Sequence, residues 1–371
     1  MRVIYFSETF TVHDHRFLTS LANTEHEVTF VRLWADERDM TSLDGLKNIH
    51  IGPSLGTKKD PGFFELLSVV GAFNKIATQV DPDIIHAGPI QNCAFLASLA
   101  SPVPLLAMSW GFDLMDIIHR RWIWKQTASI ALRRAAYYTS DAQATQQAAF
   151  QLGADPSRSS LIPWGVDHQL FKPGPRQHPI GKADTFTLFC IRSWEPTYGV
   201  DVLAQAFVKV ARERPQARLL LLGNGSMQTN LIRIFEQGGC LDKVELPGRI
   251  PQQDLPSYYH RADLYITPSH IDGSSVSLME ALACGLPTLA SDIPGNLPWV
   301  EENENGWTFP DGDVDTLAAK ILYAIDNPAL LPDMSVKAKQ LASQKANWEI
   351  NFSALLKTYQ DTLHASTQVN R

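Results

Sequence analysis

Short apolar runs alternate with helix-length segments from one end of this chain to the other, and that alternation most limits the fold. In the first half, strand-like runs fall at residues 2–7, 27–33, 83–86, 105–109, 137–139 and 160–163, with helical segments such as 63–79 and 127–136 between them. The second half repeats the scheme, with strands at 187–191, 217–222, 243–246, 263–267 and 287–290 and helices at 200–214, 227–237, 254–260 and 276–284. Apolar runs bounded by turn residues and spaced by helices predict a parallel sheet covered on both faces. A length of 371 residues predicts two such α/β domains. Residues 167–184, rich in Pro, Gly and His, read as the linker. Ligands of doubly wound sheets sit beyond the carboxyl ends of the strands, so functional residues are expected on strand-to-helix loops lining a cleft between the domains.

Composition narrows the class. With 32 basic and 39 acidic side chains the net charge is −7, which speaks against a nucleic-acid binder. Cys93, Cys190, Cys240 and Cys284 are scattered and form no CxxC pair, against a zinc site or disulfide framework. Residues 1–6 read as a strand rather than a signal-peptide core. Residues 87–112 carry no charge, yet Pro102 and Pro104 interrupt them. A buried helix at 91–100 and a strand at 105–109 fit better than a membrane span. The expectation is a cytoplasmic protein.

The most informative segment is 267–285. A strand ends near Thr267, a Gly273-Ser274-Ser275 turn opens a helix, and Gly285 closes it. Free N–H groups at Ser274, Ser275, Val276 and Ser277 would favour a phosphate. Glu280 stands among Leu278, Met279, Ala281 and Leu282, so it needs a partner if buried, and a ribose diol would serve. The same residues also suit an ordinary capped helix with a solvated Glu280. Neither a GxxxxGK[ST] loop nor a GxGxxG fingerprint occurs.

Asp272, seven residues, Glu280 and then Ala281-Leu282-Ala283-Cys284-Gly285 resemble the donor-sugar motif of retaining glycosyltransferases of family 4. There the first acid is usually Glu. Further matches run in family order: Ile162-Pro163-Trp164-Gly165-Val166-Asp167, Gly199 to Phe207, Leu221 to Gly225, Pro247-Gly248-Arg249-Ile250, Asn305-Gly306-Trp307 and Gly312-Asp313. The resemblance implies the GT-B fold, two Rossmann-like domains at 1–175 and 176–347, with a last helix at 348–371 packing back on the first. It also implies the sites. Asp272, Arg192 and Glu280 are the expected catalytic group. Gly273, Ser274, Ser275, Val276, Ser277, Arg249, Ile250, Tyr198 and Gly223 are expected to bind the donor. His13, Trp110, His86 and Trp164 are candidates for the acceptor side or the cleft wall.

The chain departs from the family at several positions. Tyr198 stands where a second phosphate-binding Lys is usual, Trp110 where a His is usual, and the loop after the first strand, Ser7 to His15, has no glycine. Asp14 reads as the N-cap of a helix over 15–22, and Asp113 as structural.

The activity implied is front-face transfer of a sugar from a nucleoside-diphosphate sugar to a glycan or lipid-linked acceptor. Neither a cofactor nor a divalent metal is expected. Alternatives are a nucleotide-sugar-binding subunit without turnover, or another GT-B enzyme such as a nucleotide-sugar epimerase. Arg120, Arg121, Trp122, Trp124 and Lys125 form a basic, Trp-bearing segment suited to an anionic membrane surface at the inner face of the membrane, or to an ordinary solvated helix face.

Overall fold

The computed structural model describes residues 1–35, 40–56, 63–115, 122–176, 178–181 and 184–369. Its contacts divide the chain into two compact units, Met1–Ile162 with Phe352–Arg371, and Pro163–Asn351.

The first unit holds β1 (Arg2–Ser7), β2 (Glu27–Trp34), β3 (Ile49–Gly56), β4 (Ile84–Ala87), β5 (Leu105–Met108), β6 (Tyr137–Ser140) and β7 (Ser159–Leu161). They form one sheet in the order β3-β2-β1-β4-β5-β6-β7, and every neighbouring pair is parallel. The central strands are apolar on both faces because helices cover both. Ile4, Phe6, Val31, Ile85 and Leu105 join Phe73, Leu96 and Leu132 in one buried cluster. Each such side chain contributes about 1.5–3 kcal/mol when removed from water.

The second unit holds β8 (Phe186–Ile191), β9 (Ala217–Leu222), β10 (Val244–Gly248), β11 (Leu264–Thr267), β12 (Thr288–Ser291) and β13 (Gly306–Phe309). Its order is β10-β9-β8-β11-β12-β13, again all parallel. The Val200–Glu213 helix shows how pattern becomes packing. Val200, Leu203, Ala204, Phe207, Val210 and Ala211 recur at helical spacing and are all buried.

Strand order reverses between β1 and β4 in one sheet and between β8 and β11 in the other. Each reversal opens a crevice at the carboxyl ends of the two strands. The loops that follow β8 and β11 are therefore the natural carriers of a site in the second unit. Those after β1 and β4 hold the same place in the first.

Several details differ from the sequence-based expectation. β3 and β13 were not expected. β3 is an edge strand interrupted by Gly52 and Pro53, and β13 has only four residues. The segment 63–79 is two helices, Phe63–Ser68 and Val70–Val80. The 91–100 helix begins as a π-helical turn, Ile90–Ala94, and continues as Phe95–Ala100. The first helix starts at Val12 and is capped by Thr11, with Asp14 at the third helical position instead of the cap. The division falls after Ile162, earlier than the expected linker, and the Trp348–Val369 helix starts in the second unit and ends in the first. Among the described residues, no helix is long and apolar enough to cross a membrane. All four cysteines are free and buried.

Candidate functional site

Arg192 follows the last residue of β8 and reaches toward the loop after β11. Its Nε and Nη2 donate to Ser269 Oγ at 3.0 and 2.7 Å, and Nη1 donates to Ser275 Oγ and Ser277 Oγ at 3.1 and 3.3 Å. Nη2 also meets Asp272 Oδ2 in an ion pair whose side chains are 10% and 17% exposed. A guanidinium has five N–H donors, and here all five have acceptors. Tyr198, in the turn Pro196–Tyr198, covers one face, with the guanidinium carbon 4.8 Å from its ring centroid. Burial opposes the charge most strongly, but Asp272 with Tyr265 and Tyr198 together outweigh it and hold the Arg192 pKa above its ordinary value.

Close backbone packing fixes this geometry. A Cβ on Gly223 would collide with the Arg192 carbonyl, one on Gly199 with the Pro268 carbonyl, and one on Gly295 with the Asp272 carbonyl. Gly223 and Gly199 also adopt φ of +125° and +58°, where other residues are strained. Ser275 is the N-cap of the Val276–Ala283 helix, its hydroxyl accepting from Leu278 N at 3.4 Å. Gly273 and Ser274 are buried beside it and Val276 is half-buried. His270, on the same loop, is held by its own N–H to Thr197 O at 3.0 Å and by Nδ1 against Asp311 Oδ1 at 2.6 Å.

Glu280 is 5% exposed one turn into that helix. Tyr259 Oη donates to its Oε2 at 2.7 Å and lies 3.1 Å from Ser277 O, while Tyr265 Oη donates to Ser277 Oγ at 2.7 Å. Burial first, and then the Glu280 charge, pushes the Tyr259 hydroxyl far above its usual range, so it stays a donor. Arg249 and Ile250 follow β10 at the same end of the sheet, Arg249 exposed and Ile250 half-buried. A cavity of about 720 Å³ opens at the opposite end, lined by Thr187, Arg218, Val244 and Asp263. Two of its cations cap helices: Lys243 Nζ donates to Ala211 O and Arg176 Nη1 to Ala262 O. The Arg192–Asp272 pair and Glu280 lie away from that cavity, at the switch point.

In the first unit, Asp14 and Asp113 are wholly buried and organise the loops after β1, β4 and β5. Asp14 accepts from Thr11 N at 2.7 Å and Tyr5 Oη at 3.1 Å. Asp113 accepts from Ile90 N and Trp110 N, each at 2.9 Å. Burial pushes both carboxyls up to about 6. His13 meets Trp110 edge-on at 6.2 Å, and burial with the neighbouring Arg16 lowers its pKa to about 3. A Cβ on Gly88 would strike Trp110, so the loops after β4 and β5 interlock. His86 lies wholly in the core. Its Nδ1 is 2.9 Å from Tyr359 Oη and its Nε2 3.2 Å from Met108 Sδ, and burial lowers its pKa to about 3. Trp164 is buried at 6% exposure in the second unit. Full burial leaves His86 without the surface an acceptor contact requires. Arg120 and Arg121 lie outside the described residues, whereas Trp122, 71% exposed, opens the Trp122–Arg134 helix with Trp124 and Lys125.

The family model described as Glycosyl transferases group 1 matches residues 175–341, and that described as Glycosyltransferase Family 4 matches residues 11–170. The chain belongs to the family 4 glycosyltransferases. It is 27% identical over 223 residues to the D-inositol 3-phosphate glycosyltransferase of Thermobispora bispora, covering 57% of this chain and 52% of that one. It is 30% identical over 141 residues to the amylovoran biosynthesis glycosyltransferase AmsK of Erwinia amylovora, covering 36% and 35%. The chain thus spans about half or less of the length of these curated relatives. The crystal structure of Anabaena Alr3699/HepE in complex with UDP shares the fold, with a TM-score of 0.81 at 20% identity over 97% of this chain and 100% of that one.

In this family member, the sequence named Arg192, Asp272 and Glu280 but not what holds them. Ser269, Tyr259, Tyr265 and Gly295 supply the hydrogen bonds and the close approach. A buried Glu280 already demanded a donor, yet nothing in the spacing pointed to Tyr259, which stands before β11 and 21 residues upstream.

Proposed function

We propose that the chain transfers a sugar, with retention of anomeric configuration and without a metal ion, from a nucleoside-diphosphate sugar to a glycan or lipid-linked acceptor of a bacterial surface glycoconjugate. The observation that carries this reading is the convergence of Arg192, the Asp272–Ser277 loop and buried Glu280 at the switch point of the second sheet. As the glycosidic bond breaks, charge grows on the departing diphosphate. A guanidinium and the amides at the start of the Val276–Ala283 helix suit that charge. Glu280, with Tyr259 on one oxygen, suits a ribose diol. Asp272 and its neighbouring amides would orient the sugar, and Arg249 and Ile250 would meet the base. His13, at the start of the Val12–Ala22 helix, and Trp110, on the loop after β5, stand where they would suit the acceptor.

A membrane-bound acceptor fits the exposed Trp122 with Lys125 beside it, at the inner face of the membrane. The test is a thermal-shift and product screen with UDP-, GDP- and ADP-sugars, with liposome flotation alongside. A stabilising nucleotide and a transferred or hydrolysed sugar of retained anomer are expected. Stabilisation by none of the nucleotides, with no product, overturns the reading. Flotation that ignores anionic lipid and salt removes the membrane from it.

A further inference from the structure

The five donors of Arg192 are all occupied, and the one anion among its partners is Asp272. The other three acceptors are serine hydroxyls of the loop after β11 and the helix it opens, so the guanidinium lies in a fixed collar that a carboxylate completes. The pair is largely shielded from water, so its charges are screened little by salt. A family member's usual second cation is absent, since Tyr198 occupies that place and lies against the guanidinium face instead. The positive charge at this crevice is thus cancelled from within. A diphosphate approaching Arg192 meets a filled fork and a like charge beside it.

We infer that Asp272 serves as an internal stand-in for phosphate: it occupies Arg192 until a diphosphate displaces it, and so sets the affinity of the site for phosphate-bearing ligands. The inference rests on the proposed donor site but turns its acidic residue from a sugar ligand into a competitor. The exchange is one anion for another on the same fork. Nη2 stops donating to a carboxylate oxygen and donates to a phosphate oxygen instead, while the serine hydroxyls keep the guanidinium oriented. The freed Asp272 carboxylate then stands beside the departing group's sugar. A single residue thereby couples donor entry to the position of the sugar-side carboxylate.

The test compares the wild-type chain with Asp272→Asn, which keeps the side-chain shape and removes the charge. Inorganic pyrophosphate is the probe, followed by UDP, GDP and ADP, by isothermal calorimetry. Asp272→Asn should bind pyrophosphate about tenfold tighter or more, because a competing charge has been removed. Equal or weaker binding by folded Asp272→Asn overturns the inference, as does no binding to either protein. Should Asp272→Asn fail to fold, a crystal structure of the wild-type chain soaked in pyrophosphate decides. Arg192 on phosphate with Asp272 turned away supports the exchange, and an intact Arg192–Asp272 pair beside the anion overturns it. The two readings fail separately. Nucleotide-sugar turnover without the Asp272→Asn gain sinks only the exchange, and the gain without any nucleotide-sugar turnover sinks only the donor assignment.

Discussion

Tyr259 Oη donates to Glu280 Oε2 across 2.7 Å inside the second unit, joining the helix before β11 to the helix after it. The bond serves both stability and the proposed ribose contact, because it leaves the carboxylate with one fixed direction. Tyr259→Phe should lower stability by about 1.5–3 kcal/mol, the range for a hydrogen bond to a charged group. It should also weaken nucleotide binding. Urea denaturation and calorimetry read the two effects.

Arg192→Ala should reduce kcat/KM by about 100-fold or more, as loss of a preorganised charge at a developing anion does. Arg192→Lys should restore little, since an ammonium cannot address Ser269, Ser275 and Ser277 as one planar fork. Steady-state kinetics with the donor found by the screen checks both.

Gly295→Ala places a methyl against the carbonyls of Asp272 and Gly273, which are backbone and cannot swing aside. The expected cost is about 1–3 kcal/mol of overpacking. The loop should shift, so donor KM should rise more than kcat falls.

Acid should destabilise the chain in part through His86. Burial lowers its folded pKa to about 3 from an ordinary 6.5. The unfolded chain then binds a proton that the folded chain refuses, and stability is lost as pH falls below about 6.5. From pH 7 to pH 5 the loss is about 2 kcal/mol for this residue. Asp14 and Asp113, raised to about 6, carry the opposite sign between roughly pH 6 and pH 4, each on the order of 1 kcal/mol from pH 7 to pH 5. Together they cancel the His86 loss, so its share is read only by comparing wild type with a variant. His86→Gln should make the change in stability from pH 7 to pH 5 more favourable than in the wild type by about 2 kcal/mol, read in urea titrations at the two pH values.

Much of the architecture was legible because it rests on period and punctuation. β8, β9 and β11 are apolar runs ended by turns, and the Val200–Glu213 helix shows its face in the sequence. β3 was hidden because an edge strand tolerates the Gly52-Pro53 pair that reads as a turn. The candidate site was legible by type and not by partnership. Arg192 and Asp272 are 80 residues apart, and sequence places both on loops at one end of a sheet. Their meeting depends on how Gly223, Gly199 and Gly295 seat three backbones, which no periodicity reports. At the first helix, Thr11 and Asp14 could each cap, and the buried Tyr5 hydroxyl drew Asp14 inward.

The last helix, Trp348–Val369, changes how this chain can be cut and recombined. Its second part belongs with the first unit, where Tyr359 reaches His86 and Thr358 reaches Ser160 at 3.3 Å. A fragment ending at Ile162 would lack those partners and expose the wall they cover. A chimera that exchanges the amino-terminal half between relatives must therefore carry residues 352–369 with it, so the smallest interchangeable piece of this protein is discontinuous in sequence.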